Sequence, residues 1–71
     1  MKPLPYRQIK RKLEKAGFVI VHQRGSHVKF VCESEDETRT VVVPNHREVR
    51  VGTLRTILRH AGLTPDEFDR L

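Results

Sequence analysis

Two tripeptides, Ala16-Gly17-Phe18 and Ala61-Gly62-Leu63, constrain the fold of this chain more than any other feature. Each sets a glycine directly after an amphipathic run and follows it with a large apolar residue. A helix ends this way when its chain turns on a left-handed residue and folds back onto the core. Two such stops predict two helices with different structure between them. Before the first stop, Tyr6, Ile9, Leu13 and Ala16 recur at i, i+3, i+7 and i+10, which is one face of a helix. Pro5 stands where a first-turn proline is tolerated. Before the second stop, Leu54, Ile57, Leu58 and Ala61 form the buried stripe of a helix opening at about Gly52 or Thr53.

The interval between the stops holds three runs rich in β-branched residues: 18–23, 26–32 and 38–43. Arg24-Gly25 reads as the first turn. Glu33-Ser34-Glu35-Asp36-Glu37 is too polar to bury and reads as the second, and Pro44-Asn45 ends the third run. Connections this short favour an antiparallel meander. Thr64-Pro65-Asp66-Glu67 reads as a capping box with proline at the first helical position, opening a short helical turn over residues 64–71. The expected fold is therefore α+β: a two-layer α-β-β-β-α arrangement with a three-stranded antiparallel sheet packed on two helices.

With 71 residues the chain is expected to form one domain, 1–71. A domain of this size buries only about 60% of the surface its unfolded form exposes, so two layers around one core are what it can build. No apolar run approaches the roughly 20 residues of a bilayer span, so no membrane partner is expected. Met1-Lys2-Pro3-Leu4-Pro5 carries a charge but no apolar segment of the signal-peptide kind. One cysteine, Cys32, supplies no disulfide framework, which fits a reducing cytoplasm.

The net charge of +5 is unevenly distributed. Residues 1–31 hold eight Lys or Arg against the single Glu14, while residues 32–71 hold six against eight acids. The face of the first helix opposite its apolar stripe carries Arg7, Lys10, Arg11, Lys12 and Lys15. An excess gathered in one half points to a polyanion such as nucleic acid. A solvated, solubility-giving surface accounts for the charge equally well.

Strand parity singles out one residue. In the second strand Val28, Phe30 and Cys32 share the core face, and His27, Lys29 and Val31 share the other. His27 is thus expected to point outward beside Lys29, and a core-packing role loses its weight. Cys32, on the core face, is expected to be an inert packed thiol. Ser26 and His27 point apart and form no serine–base dyad. His22, His27, His46 and His60 show no pairing at metal-ligand spacing, and one cysteine cannot complete a zinc site. There is no Gly-rich phosphate loop and no carboxylate constellation, so neither a metal nor a cofactor is expected. An exposed histidine among cations can exchange a proton near neutral pH, as RNA strand scission needs. Lys29 or Arg24 could then hold the phosphate. Solvated decoration is the commoner role for such a histidine, and from the residues alone three readings stay open: a ribonuclease, a non-catalytic RNA-binding module, and a pure interaction domain.

The segments "LEKAGFVIVHQRGSHVKF", "VVVPNH" and "VGTLRTILRHAGL", in that order and together covering most of residues 13–63, resemble the HicA family of bacterial toxins. The resemblance implies a fold like that of double-stranded-RNA-binding domains. It implies ribosome-independent cleavage of mRNA, with His27 matching the catalytic histidine. It further implies a HicB-like antitoxin as partner, covering the His27 face, and no DNA contact by the toxin alone. His46 matches a Pro-x-His element, expected to brace the loop into the second helix rather than assist the site, since nothing in the spacing places it near His27. Gly52-Thr53-Leu54 matches the start of that helix, where a hydroxyl cap is expected. Val28 stands where many relatives carry a second histidine, which leaves the general acid unassigned. Arg7, Lys10, Arg11, Lys15 and Lys29 are the expected contacts to the RNA backbone.

Overall fold

Helix α1 (Tyr6–Lys15) buries Ile9 and Leu13, the centre of its apolar stripe, and leaves most of its cations outside. Pro5 is its N-cap, with extended backbone, one position earlier than a first-turn proline. The helix ends as the Ala-Gly-Phe pattern predicts: Gly17 is left-handed, its N–H donates to Glu14 O at 3.0 Å, and the Phe18 N–H donates to Leu13 O at 2.9 Å. That double bond returns Phe18 to the core. The same pair recurs after α2, where the Gly62 and Leu63 N–H groups donate to Arg59 O and Leu58 O. The structure, a computed structural model, describes residues 1–71.

Strands β1 (Val19–Arg24), β2 (His27–Glu33) and β3 (Thr38–Pro44) form one antiparallel sheet in the order β1-β2-β3. The first strand begins one residue later than the apolar run suggests, because Phe18 belongs to the helix-ending turn. The register pairs Arg24 with His27 and His27 with Pro44, then His22 with Lys29 and Lys29 with Val42. Between Ile20 and His22 the β1–β2 pairing shifts register, a bulge of the kind that twists an edge strand.

Helix α2 (Val51–Ala61) starts at Val51, with Arg50 as its N-cap and no side-chain cap bond. The hydroxyl cap expected at Gly52-Thr53 is not formed; the Thr56 hydroxyl instead donates back to Gly52 O at 3.3 Å. The last helix, α3 (Pro65–Asp69), carries the predicted capping box, Glu67 N–H to Thr64 Oγ1 at 3.1 Å and Thr64 N–H to Glu67 Oε1 at 2.9 Å. The Thr64 backbone N–H, and after it the Thr64 hydroxyl, hold the Glu67 carboxyl below the usual carboxylate range.

One core of 13 apolar residues joins the helices to the sheet, with Val28, Phe30, Val41 and Val43 fully enclosed and no polar side chain among them. The helices cover β2 and β3 only. All six residues of β1 are exposed, and Val19, Val21 and Val42 remain open to solvent. Lys12, from the basic helix, is turned to a structural use. Its ammonium donates to Phe68 O and Leu71 O at 3.1 and 3.3 Å and lies 5.1 Å from the centre of the Phe68 ring. A cation at the carbonyl end of a helix opposes its dipole, and here it ties the C-terminus to α1.

Candidate functional site

The sheet face away from the helices carries the predicted histidine. His27 and Lys29 are exposed, while their neighbours Val28 and Phe30 are fully buried, as pleat alternation requires. Cys32 is half-buried rather than enclosed, its thiol 4.0 Å from Ala16 O.

Around His27 the structure adds partners that strand spacing does not show. Because His27 pairs with Pro44 at the end of β3, the loop leaving that strand passes beside the imidazole. The loop is pinned on several sides. The Asn45 N–H donates to Ser26 O at 2.6 Å, the His46 N–H to Pro44 O at 2.9 Å, and the Tyr6 N–H to His46 O at 2.9 Å. Farther on, Leu4 and Val49 exchange backbone hydrogen bonds of 3.2 and 2.7 Å in an isolated bridge. The result is an open cleft of about 560 Å³ whose walls include His27, His46, Glu48, Arg50 and Thr53. Spacing in the sequence does not bring His46 to His27, and the fold does: both residues line one cleft. The pairing of β2 with β3 joins them across 19 residues of sequence.

Other expected residues distribute differently. Arg24 is the cross-strand neighbour of His27, and Lys29 lies two residues along the same face, about 7 Å away at strand rise. Both flank the cleft without lining it. Of the basic ridge on α1, Arg7 lines a second, smaller hollow of about 190 Å³ with Tyr6, Asn45, His46 and Arg47. Lys10, Arg11 and Lys15 lie on the helix away from both cavities. Burial and the Glu14 carboxylate push the Tyr6 phenol up from its ordinary value, so it is a neutral hydrogen-bonding group at physiological pH.

A family model of HicA toxins of bacterial toxin–antitoxin systems matches residues 6–63, more than half of the chain. The chain belongs to the HicA toxin family. No curated protein shows significant similarity to it. Membership in the HicA family carries with it a cognate antitoxin as partner. The match runs from the first residue of α1 to the residue that folds back after α2, so it spans the sheet and both pinning helices and leaves α3 outside.

Within this HicA fold the electrostatics are one-sided. The only ion pair joins Arg39 to Glu37 at 2.7 Å, at the far end of β3 from the cleft. The remaining arginines, among them Arg24, Arg47 and Arg50, have no carboxylate partner and are free to meet an anion. Glu48 and Arg50 carried no assigned role in the sequence, and Thr53 read only as the start of a helix. The one available signal was Glu48, a lone acid in the basic run His46-Arg47-Glu48-Val49-Arg50. No helix is long and apolar enough to cross a membrane, and no three His, Cys, Asp or Glu side chains come together as a metal site.

Proposed function

We propose that this protein is a single-domain, cytoplasmic endoribonuclease, the toxin of its pair, cutting mRNA without a metal by acid–base chemistry at the His27–His46 cleft. The observation that carries this reading is the presence of both imidazoles on one open cleft with an unpaired arginine, Arg50, in its wall. One neutral imidazole takes the proton of a ribose 2′-OH as the oxygen attacks the adjacent phosphorus. The other, protonated, gives its proton to the departing 5′-oxygen as the P–O bond breaks. The products are a 2′,3′-cyclic phosphate and a 5′-hydroxyl, and the two histidines exchange protonation states. Arg50, with Lys29 and Arg24 at the margin, supplies positive charge where the phosphorane develops negative charge. A second basic residue in the cleft fills the role left open by Val28, which is fully buried and turned into the core.

The open sheet face also suits an antitoxin. Val19, Val21 and Val42 are exposed, with Val42 paired to Lys29 and Val21 next to its other partner, His22, and a HicB-like partner with apolar and acidic side chains would match this surface and close the cleft. The test is cleavage of one mRNA by wild-type, His27→Ala and His46→Ala proteins, with and without EDTA. Wild-type cleavage that survives chelator and is lost in the His27 variant supports the reading. A folded His27→Ala protein that still cuts removes it. Salt-sensitive RNA retention by the wild type with no product would replace it with a non-catalytic RNA-binding module.

A further inference from the structure

The smaller hollow beside the cleft has features that phosphodiester chemistry does not use. We infer that it is a base-binding subsite, in which the nucleobase adjoining the reacting phosphate stacks on Tyr6 and is read at its edge by Asn45. The inference rests on the reading of the His27–His46 cleft as the place where the RNA backbone lies.

Five observations converge. Tyr6 is the only aromatic residue that reaches the surface, since Phe18, Phe30 and Phe68 are all buried. Its ring is backed by Phe30, with centroids 6.4 Å apart and a tilt of 50°, so the side that lines the hollow is already ordered. Single-stranded RNA is commonly gripped by stacking splayed-out bases on such rings.

His46 is a wall of both cavities, and its carbonyl holds the Tyr6 N–H at 2.9 Å. The main chains that carry the aromatic platform and the candidate acid–base group are therefore joined by one short bond. A backbone phosphate in the larger cavity leaves its neighbouring base within reach of the smaller one.

Asn45 is exposed, and its side chain makes no hydrogen bond within the protein, although its backbone is locked to Ser26 O. A free carboxamide offers a donor and an acceptor side by side, which is what the edge of a base presents in return. Arg7 and Arg47 flank the hollow without carboxylate partners, placed to hold the phosphates on either side. Size supports the same occupant. At about 190 Å³ the hollow falls below the several hundred cubic ångströms of ordinary small-molecule pockets and suits one planar ring system.

The probe is a set of single-stranded RNA trinucleotides, intact or with one nucleotide made abasic, titrated by NMR into full-length His27→Ala protein so that no RNA is cut. The Tyr6 ring signals are expected to move upfield with intact RNA. One abasic position is expected to weaken binding about tenfold and abolish that movement, in keeping with the usual strength of base–aromatic stacking. Tyr6→Phe should keep the positional penalty, and Tyr6→Leu should erase it. Should Tyr6→Leu fail to fold, Asn45→Ala decides: loss of preference among the four bases at that position upholds the subsite, and an unchanged preference overturns it. Tyr6 signals that stay still while RNA saturates the protein also overturn it, as does an absence of RNA binding. A positional effect in a protein whose wild type cuts no RNA would leave the subsite standing and remove the ribonuclease reading alone. Cleavage without any positional effect would do the reverse.

Discussion

The two faces of β2 are built from alternate residues of one seven-residue strand, and they are nearly opposite in character. Toward the helices, Val28 and Phe30 are fully enclosed in a core with no polar side chain. Toward solvent, His27 and Lys29 stand exposed beside Arg24, Pro44 and Val42. Nothing packs over the second face, so its residues contribute little to folding and are free to serve chemistry and partners. A shift of one residue in register would exchange the two sets and destroy both properties together. The core and the candidate site are thus divided by pleat rather than by position along the chain.

The most severe way to break that division is from the inside. Phe30→Ala should cost about 3–5 kcal/mol, as large-to-small changes at enclosed aromatic sites do, a large share of what a domain this size possesses. Urea or thermal unfolding will read it, and any activity lost should track the fraction unfolded. From the outside, His27→Ala should lower the cleavage rate by about 10²–10⁴-fold, the usual contribution of a positioned acid or base. Its unfolding free energy should stay within about 0.5 kcal/mol of wild type. A His27 variant that loses stability instead would show that the open face is part of the scaffold.

Smaller effects sharpen the contrast. Gly62 is left-handed at φ 71°, and a Cβ there would run into the Arg39 guanidinium. Since that group is the end of a flexible side chain, it can swing aside, and Gly62→Ala should cost mainly the backbone strain of about 1–2 kcal/mol. Thermal unfolding measures it, and cleavage by the folded fraction should not change. The smallest effect concerns the capping box. Because folding lowers the Glu67 carboxyl below its ordinary 4.5, its ionised form adds stability above that pH and loses it as pH falls through the depressed value. Wild type should therefore exceed Glu67→Gln in melting temperature at neutral pH, with the gap closing toward strongly acidic pH. A gap that persists in acid would show that the carboxylate charge is not the source.

What could be read in advance had local causes. The helix stops at Gly17 and Gly62, the Thr64–Glu67 capping box and the alternation along β2 each follow from bonds within a few residues or from the two-residue pleat. Bounds drifted by a residue or so where a local rule competed with the rest of the fold: Phe18 completes a helix-ending turn rather than starting a strand, and α2 opens at Val51 under Arg50 instead of a threonine cap. Thr53, assigned to capping by its position, faces the cleft. Lys12 read as one more cation on a ridge, and it holds the C-terminal carbonyls instead, because the α3 end arrives there from 56 residues away.

By itself, then, the chain's order of residues determined the element sequence, the sheet's two-sidedness and the outward aim of His27, since each depends on backbone periodicity and short-range hydrogen bonding. The assembly of a site around that histidine was decided only in three dimensions. Pairing of β2 with β3 sets Pro44 opposite His27, and the Tyr6 and Ser26 bonds to the following loop hold His46 across the cleft. Those contacts join residues far apart in the chain, and no local pattern encodes which distant partner a strand edge or loop amide will meet.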